Sequence, residues 1–320
     1  MREILDRLER DCRLTETEYA HLLANRSEAL AAELSRRADR VRRRHFGTEL
    51  FLRAVLDISS ICPRTCKSCP MAFGADCNRF RLRPREILDR CEELCGLETG
   101  GLVLRSGDDH FYTDRILCDL LEKLGHSCPG WPVTLSLGER SRESFEVLYN
   151  AGAEGCILLQ ETADRARYED THPAELSFDR RLHRLNALME IGFCTGCGFV
   201  IGAGDQTDEV LARELKFMEE FQPHTVELAV LKEDPLLLRM LLAILRLMLP
   251  RSFITAPTGA EEEILAGANV LLCGGSGGPA PLCGCRQPHA PDTPQDIAAL
   301  RRRMAAIGYE ITTAPCTWRG

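Results

Sequence analysis

Apolar residues recur at helical spacing through the first 46 positions, and beyond Gly47 short apolar runs alternate with amphipathic stretches. Thr15 and Glu18 have the spacing of a capping box ahead of Tyr19, Leu22 and Leu23. A further helix is predicted from Leu30, Ala31, Leu34, Ala38 and Val41, ending in Arg42, Arg43 and Arg44. Cations favour a helix C-terminus, so this run reads as a solvated helix face in preference to a nucleic-acid contact. Later strands are predicted at 51–58, 101–105, 133–137, 155–159, 196–201, 225–231, 253–256 and 270–273. Helices are predicted to begin near Pro84, Thr113, Arg142, Ser177, Thr207, Asp234, Gly259 and Thr293. Alternation alone allows an open doubly wound sheet or a closed barrel; eight units in roughly 250 residues favour the barrel. The expected architecture is α/β, a (β/α)8 TIM-type barrel over 48–310. It carries an N-terminal helical extension at 1–47 and a C-terminal tail at 311–320.

Composition narrows the class. Hydrophobic residues at 44% and charged residues at 28% suit a chain with a sizeable core. A balance of 40 Lys+Arg against 48 Asp+Glu argues against a general nucleic-acid binder. The charged start has no apolar signal core, and the longest apolar run, 235–250, contains Arg239 and Arg246 and is too short to span a bilayer. A soluble, cytoplasmic protein without membrane or nucleic-acid partners is expected. Cysteine is the outlier, at 16. Without a secretion signal a disulfide framework explains it poorly, which leaves metal binding, catalysis, or thiols used as small hydrophobes.

Cys62, Cys66 and Cys69 form a C-x3-C-x2-C pattern directly after the first strand, on the face where parallel barrels build active sites. Three thiolates can each hold one iron of a 4Fe–4S cluster and leave the fourth iron open to a ligand. Zinc would want a fourth Cys or His nearby, and three core thiols clustered by chance is the remaining reading.

This motif in this position resembles that of radical S-adenosylmethionine (SAM) enzymes. The resemblance runs from about residue 14 to 309 and is closest to the FeFe-hydrogenase maturase group HydE, with biotin synthase and methylornithine synthase more distant. It is carried by 52–59 (LRAVLDIS), 104–109 (LRSGDD), 134–140 (TLSLGER), 161–163 (ETA), His172-Pro173 with 177–182 (SFDRRL), and 241–250. It implies reductive cleavage of SAM at the cluster to methionine and a 5′-deoxyadenosyl radical. It further implies that Cys62, Cys66 and Cys69 hold the cluster, and that Gly107 and Asp108 receive the SAM amino group. Ser136 would stand near SAM or substrate, Glu161 would accept hydrogen bonds from SAM hydroxyls, and Arg181 would pair with the methionine carboxylate. Residue type alone leaves Asp108 as a turn cap, Ser136 as an ordinary strand-end polar residue and Arg181 as a solvated cation. The implied partners are a small-molecule or iron–cysteine substrate and a reducing electron-transfer protein.

Several positions depart from the pattern. Ser68 stands where the family has an aromatic residue beside the adenine, and Leu159-Gln160 before Glu161 resembles methylornithine synthase. The loops at 232–234 and 255–261 are shortened relative to the maturases, so a changed substrate is expected. A second Fe–S cluster is a further candidate around Cys273, Cys283, Cys285 and Cys316, against a remnant or nothing. Cys194 and Cys197, three apart on a strand, are expected on opposite faces. Cys91 and Cys95 read as core residues on one helix face, and His110 as a surface loop residue more readily than a substrate contact. Three functions stay open: hydrogenase maturation, a sister activity (sulfur insertion or carbon-skeleton rearrangement), and a non-catalytic Fe–S or scaffold protein.

Overall fold

The N-terminal helices are fixed by the caps that the sequence supplies. In this computed structural model, which describes residues 1–67, 69–204, 206–276 and 293–316, they are α1 (Arg2–Asp11), α2 (Glu16–Ala24) and α3 (Glu28–Phe46). The Thr15 hydroxyl accepts the Glu18 N–H at 3.3 Å while Glu18 Oε2 accepts the Thr15 N–H at 2.9 Å, a complete capping box. The Ser27 hydroxyl caps α3 through the Leu30 N–H.

Strand–helix units follow: β1 (Glu49–Ser59), α4 (Pro84–Cys95), β2 (Leu102–Ser106), α5 (Asp114–Ser127), β3 (Val133–Ser136), α6 (Arg142–Asn150) and β4 (Ala153–Ile157). Next come α7 (Arg165–Thr171), α8 (Phe178–Ile191), β5 (Cys194–Cys197), β6 (Val200–Ile201), α9 (Asp208–Phe221), β7 (Thr225–Val226), β8 (Ala229–Val230) and α10 (Pro235–Met248). The last are β9 (Phe253–Ile254), α11 (Glu261–Leu265), β10 (Val270–Ser276), α12 (Pro294–Ala306) and β11 (Glu310–Thr312).

Eight strands run parallel in the order β10-β1-β2-β3-β4-β5-β7-β9, with β11 paired to the start of β1. The ends meet where Asn269 N–H donates to Ile254 O and Ala256 N–H to Val270 O, each at 2.9 Å, giving the (β/α)8 TIM-type barrel that the alternation predicts. The expected strands 196–201 and 225–231 are each broken in two. The breaks fall where Gly198 lies so close to the Glu227 carbonyl that a Cβ on it would stand 1.6 Å from the oxygen, and β6 and β8 resume the pairing beyond. Helix α7 falls in a stretch read as a connection.

Alternation along β1 sorts its side chains. Leu50, Leu52, Ala54, Leu56 and Ile58 join the outer core under the helices, while Phe51 and Val55 join Val103, Ile157, Phe253, Val270 and Leu272 inside the barrel. Arg53 and Asp57, on the inner parity, are therefore buried within the barrel. The apolar run 235–250 is mostly α10, enclosed between the barrel and α3. Its Arg246 is fully buried and donates to the carbonyls of Gly267, Leu249, Pro250 and Ser252 and to Asn269 Oδ1. Among the described residues no helix is long and apolar enough to cross a membrane.

Candidate active site

The loop after β1 carries the three cysteines, all half-buried, and is held from several sides. Arg79 donates to the carbonyls of Ser60, Met71 and Ala72 at 2.6, 2.7 and 2.6 Å. Arg64 Nε donates to Asp108 Oδ2 at 2.7 Å, tying the loop to the end of β2. Lys67 N–H donates to the Thr171 carbonyl at 2.9 Å, so the unforeseen α7 supports the loop from the far side.

Gly107 explains the seating of the loop on β2. A Cβ there would lie 2.5 Å from the Ile61 carbonyl oxygen and 2.8 Å from Cys62 Cβ, so only glycine lets the first cysteine approach this strand. Behind it, Asp109 is buried and accepts both Arg81 donors at 2.7 Å and the Ser59 hydroxyl at 2.6 Å. Ser136 ends β3, half-buried and in register with Arg105.

Glu161 follows β4 with φ +68°, a left-handed conformation that costs a non-glycine residue free energy and persists only where the surroundings enforce it. Its N–H donates to Gly198 O at 3.1 Å and its carbonyl accepts the Val200 N–H at 2.9 Å, which pins the turn. Its carboxylate lies 3.2 Å from His172 Nε2 and 3.8 Å from Arg181 Nη1. Burial alone would raise this carboxyl, but the His172 hydrogen bond and the Arg181 charge outweigh it and hold Glu161 below its ordinary value. Arg181 is itself buried; it donates to Glu139 Oε2 at 3.1 Å and to the Leu159 carbonyl. His172 stacks on Tyr168, with ring centroids 3.9 Å apart.

Burial, then the Glu161 carboxylate and the two sister thiols, push Cys66 up to about 12. Burial likewise dominates at Cys69, pushed up to about 11 with Glu161 and Cys62 contributing. The three cysteines, Glu161 and Arg181 thus sit within electrostatic reach of one another. The Cys66 and Cys69 thiols are held protonated until a cation compensates them, and iron would do so. The buried Tyr168 hydroxyl, within reach of Cys66, Glu161 and Arg181, has no hydrogen-bond partner among the described residues. Among those residues no three His, Cys, Asp or Glu side chains converge on a point suited to one ion. A multi-iron cluster needs only one thiolate per iron. The donor set therefore fits a 4Fe–4S cluster with a polar ligand beside it.

Other sequence candidates stay apart from this site. Cys194 faces Thr225 at the barrel floor and Cys197 lies in the outer core, on opposite faces as expected. Cys91 is a core residue, and the His110 side chain is 75% exposed. Cys273 is buried on β10, whereas Cys283 and Cys285, like Ser68, lie outside the described residues. Sequence reading passed over Tyr168 and the lumen pair Asp57–Arg105 (2.8 Å); inner parity on β1 was the available signal for Asp57.

No family model matches the chain. It is 32% identical over 292 residues to the FeFe-hydrogenase maturase subunit HydE of Thermotoga maritima, spanning 85% of this chain and 83% of that protein. It is 27% identical over 279 residues to 3-methylornithine synthase of Methanosarcina acetivorans, spanning 81% and 79%. The crystal structure of methylornithine synthase superposes with a TM-score of 0.83, covering 97% of each chain at 24% identity.

Proposed function

We propose a role for this chain, which belongs to the radical SAM family of the maturase HydE and is a radical SAM enzyme, in assembling a hydrogenase diiron centre from an iron–cysteine substrate. The observation that carries this reading is the 32% identity to HydE over most of both chains. Cys62, Cys66 and Cys69 would hold the 4Fe–4S cluster, which when bound supplies the electron that cleaves SAM. Gly107 leaves room for the cluster loop, and Asp108, held by Arg64, would take the SAM amino group. Arg181, now held by Glu139 and the Leu159 carbonyl, would pair with the methionine carboxylate through its planar fork, Glu161 would accept from SAM hydroxyls, and Ser136 would stand near SAM or substrate. The enclosed barrel would exclude water and stray hydrogen donors from the radical. A reducing electron-transfer protein and a cytoplasmic setting go with this role.

One observation favours a second reading. Gln160, before Glu161, is buried and donates to the Thr162 carbonyl, in the place where the sequence resembles methylornithine synthase. That supports a carbon-skeleton rearrangement. The deciding experiment is complementation of a strain lacking its HydE maturase, alongside anaerobic assay for 5′-deoxyadenosine. Restored hydrogenase activity supports maturation; SAM cleavage without restoration supports the shifted substrate; neither, from a protein with its cluster loaded, overturns both.

A further inference from the structure

The stretch from Ile61 to Arg85 carries Arg64, Lys67, Arg79, Arg81, Arg83 and Arg85 against one carboxylate, Asp76, in a chain of net charge −8. Its end reads Arg79-Phe80-Arg81-Leu82-Arg83-Pro84-Arg85. Arg79 to Arg83 are extended, with Arg81 bridged antiparallel to Ser59 and the Leu82 N–H donating to the Ile58 carbonyl. Period-two alternation turns Phe80 and Leu82 toward the fold and leaves Arg79, Arg81 and Arg83 exposed along about 13 Å of rim. Arg85 continues the row in the first turn of α4, where the helix dipole disfavours a cation, so helix stability does not account for it.

Local duties account for only part of this row. Arg79 clamps the cysteine loop and Arg81 pairs with Asp109. Among the described residues the Arg83 and Arg85 guanidinium groups have no ion-pair partner; Glu86, the nearest acid in sequence, caps the Arg83 backbone N–H at 2.6 Å. Beside the Arg79 guanidinium, which holds the Ala72 carbonyl, stands Phe73 at 72% exposure, above every other exposed large apolar side chain described. Phe73 is four residues from Cys69. An exposed aromatic beside a row of cations, two of them without an ion-pair partner among the described residues, is the make-up of a docking patch for an acidic protein.

We propose that Phe73 and the row Arg79, Arg81, Arg83 and Arg85 dock the acidic one-electron carrier protein that reduces this enzyme. The inference rests on the radical SAM reading. In the step served, the reduced carrier loses one electron, the cluster beside Cys69 gains it, and no atom or proton is exchanged. Charge attraction would speed encounter and orient the carrier's redox group toward the cysteine loop, while Phe73 would supply the desolvated contact.

The test uses anaerobically reconstituted full-length protein with an acidic flavodoxin as the probe. Calorimetric titration should show affinity falling about tenfold between 50 and 200 mM salt. The double variant Arg83→Glu/Arg85→Glu should lose about tenfold in affinity, and Phe73→Ser about fivefold. 5′-Deoxyadenosine formation driven by reduced flavodoxin should fall in step, while formation driven by dithionite, which needs no docking, stays within about twofold of the parent. Parental affinity in the variants overturns the proposal, as does an equal loss with dithionite. Tighter binding of a short RNA than of flavodoxin also overturns it. Absence of dithionite-driven cleavage in the parent would instead remove the radical SAM reading, with the binding measurements still deciding the patch.

Discussion

The Glu161 carboxylate and the His172 imidazole meet at 3.2 Å within the segment that joins β4 to α8, and the imidazole is clamped in turn by the Tyr168 ring. Because His172 and Arg181 hold the Glu161 carboxyl below its ordinary value of 4.5, any SAM contact through this carboxylate survives into mild acid. The sign follows from linkage: a depressed carboxyl contributes above its unfolded value and loses its contribution as pH falls through the folded one. His172→Ala should therefore make SAM affinity begin to fall at higher pH than in the parent. Glu161→Gln should weaken SAM by about tenfold with iron content and folding intact. Equilibrium binding from pH 4 to 8 checks both.

Gly107→Ala should prevent stable cluster binding. The new methyl would stand 2.5 Å from the Ile61 carbonyl oxygen, and that backbone has little room to retreat beneath the Arg64–Asp108 pair. Iron content after reconstitution should drop severalfold while far-ultraviolet circular dichroism stays that of the parent.

Glu214 makes a second pH-dependent contribution, of opposite sign. It lies on α9, accepts the Thr162 hydroxyl and the Ala163 N–H at 2.6 Å each, and is pushed up to about 7 by burial, which outweighs those hydrogen bonds. A folded carboxyl raised above its unfolded value binds more protons in the native state, so stability declines as pH rises from about 4.5 to about 7. Melting temperature should fall across that window, and Glu214→Gln should flatten the decline.

Asn269 joins the closing seam to the buried cation beneath it. Its Oδ1 accepts both Arg246 Nη2 and the Ile254 N–H at 2.8 Å, and the residue is fully buried. Asn269→Ala removes one acceptor from two buried donors, and should cost about 2–4 kcal/mol by urea denaturation.

Much of the barrel was legible because its signals are local. Runs of apolar residues mark the strands, and Thr113, Ser177, Thr207, Asp234 and Thr293 cap helices where the sequence places them. The cysteine loop was legible from spacing alone. What escaped depends on distant partners. Helix α7 has seven residues and one buried side chain, too little to show a period. The left-handed turn at Glu161 is held by backbone bonds to Gly198 and Val200, and the breaks before β6 and β8 fall where Gly198 packs against the Glu227 backbone. Asp108 and Arg64 pair across 44 positions, which no spacing rule connects.

The unequal ladder lengths have a kinetic consequence. β1 pairs with β10 over seven register positions and with β2 over five, whereas β9 offers two to β7 and meets β10 only at its edge. Amide hydrogens on the β1 side should exchange by global opening, and those around Phe253 and Ile254 by smaller fluctuations that part the seam first. The stave that bears the cysteines is thus the last to loosen. Breathing would be concentrated at the β7–β9–β10 seam, off the stave that carries the cysteine loop, so that a visitor could enter or leave there without disturbing that loop.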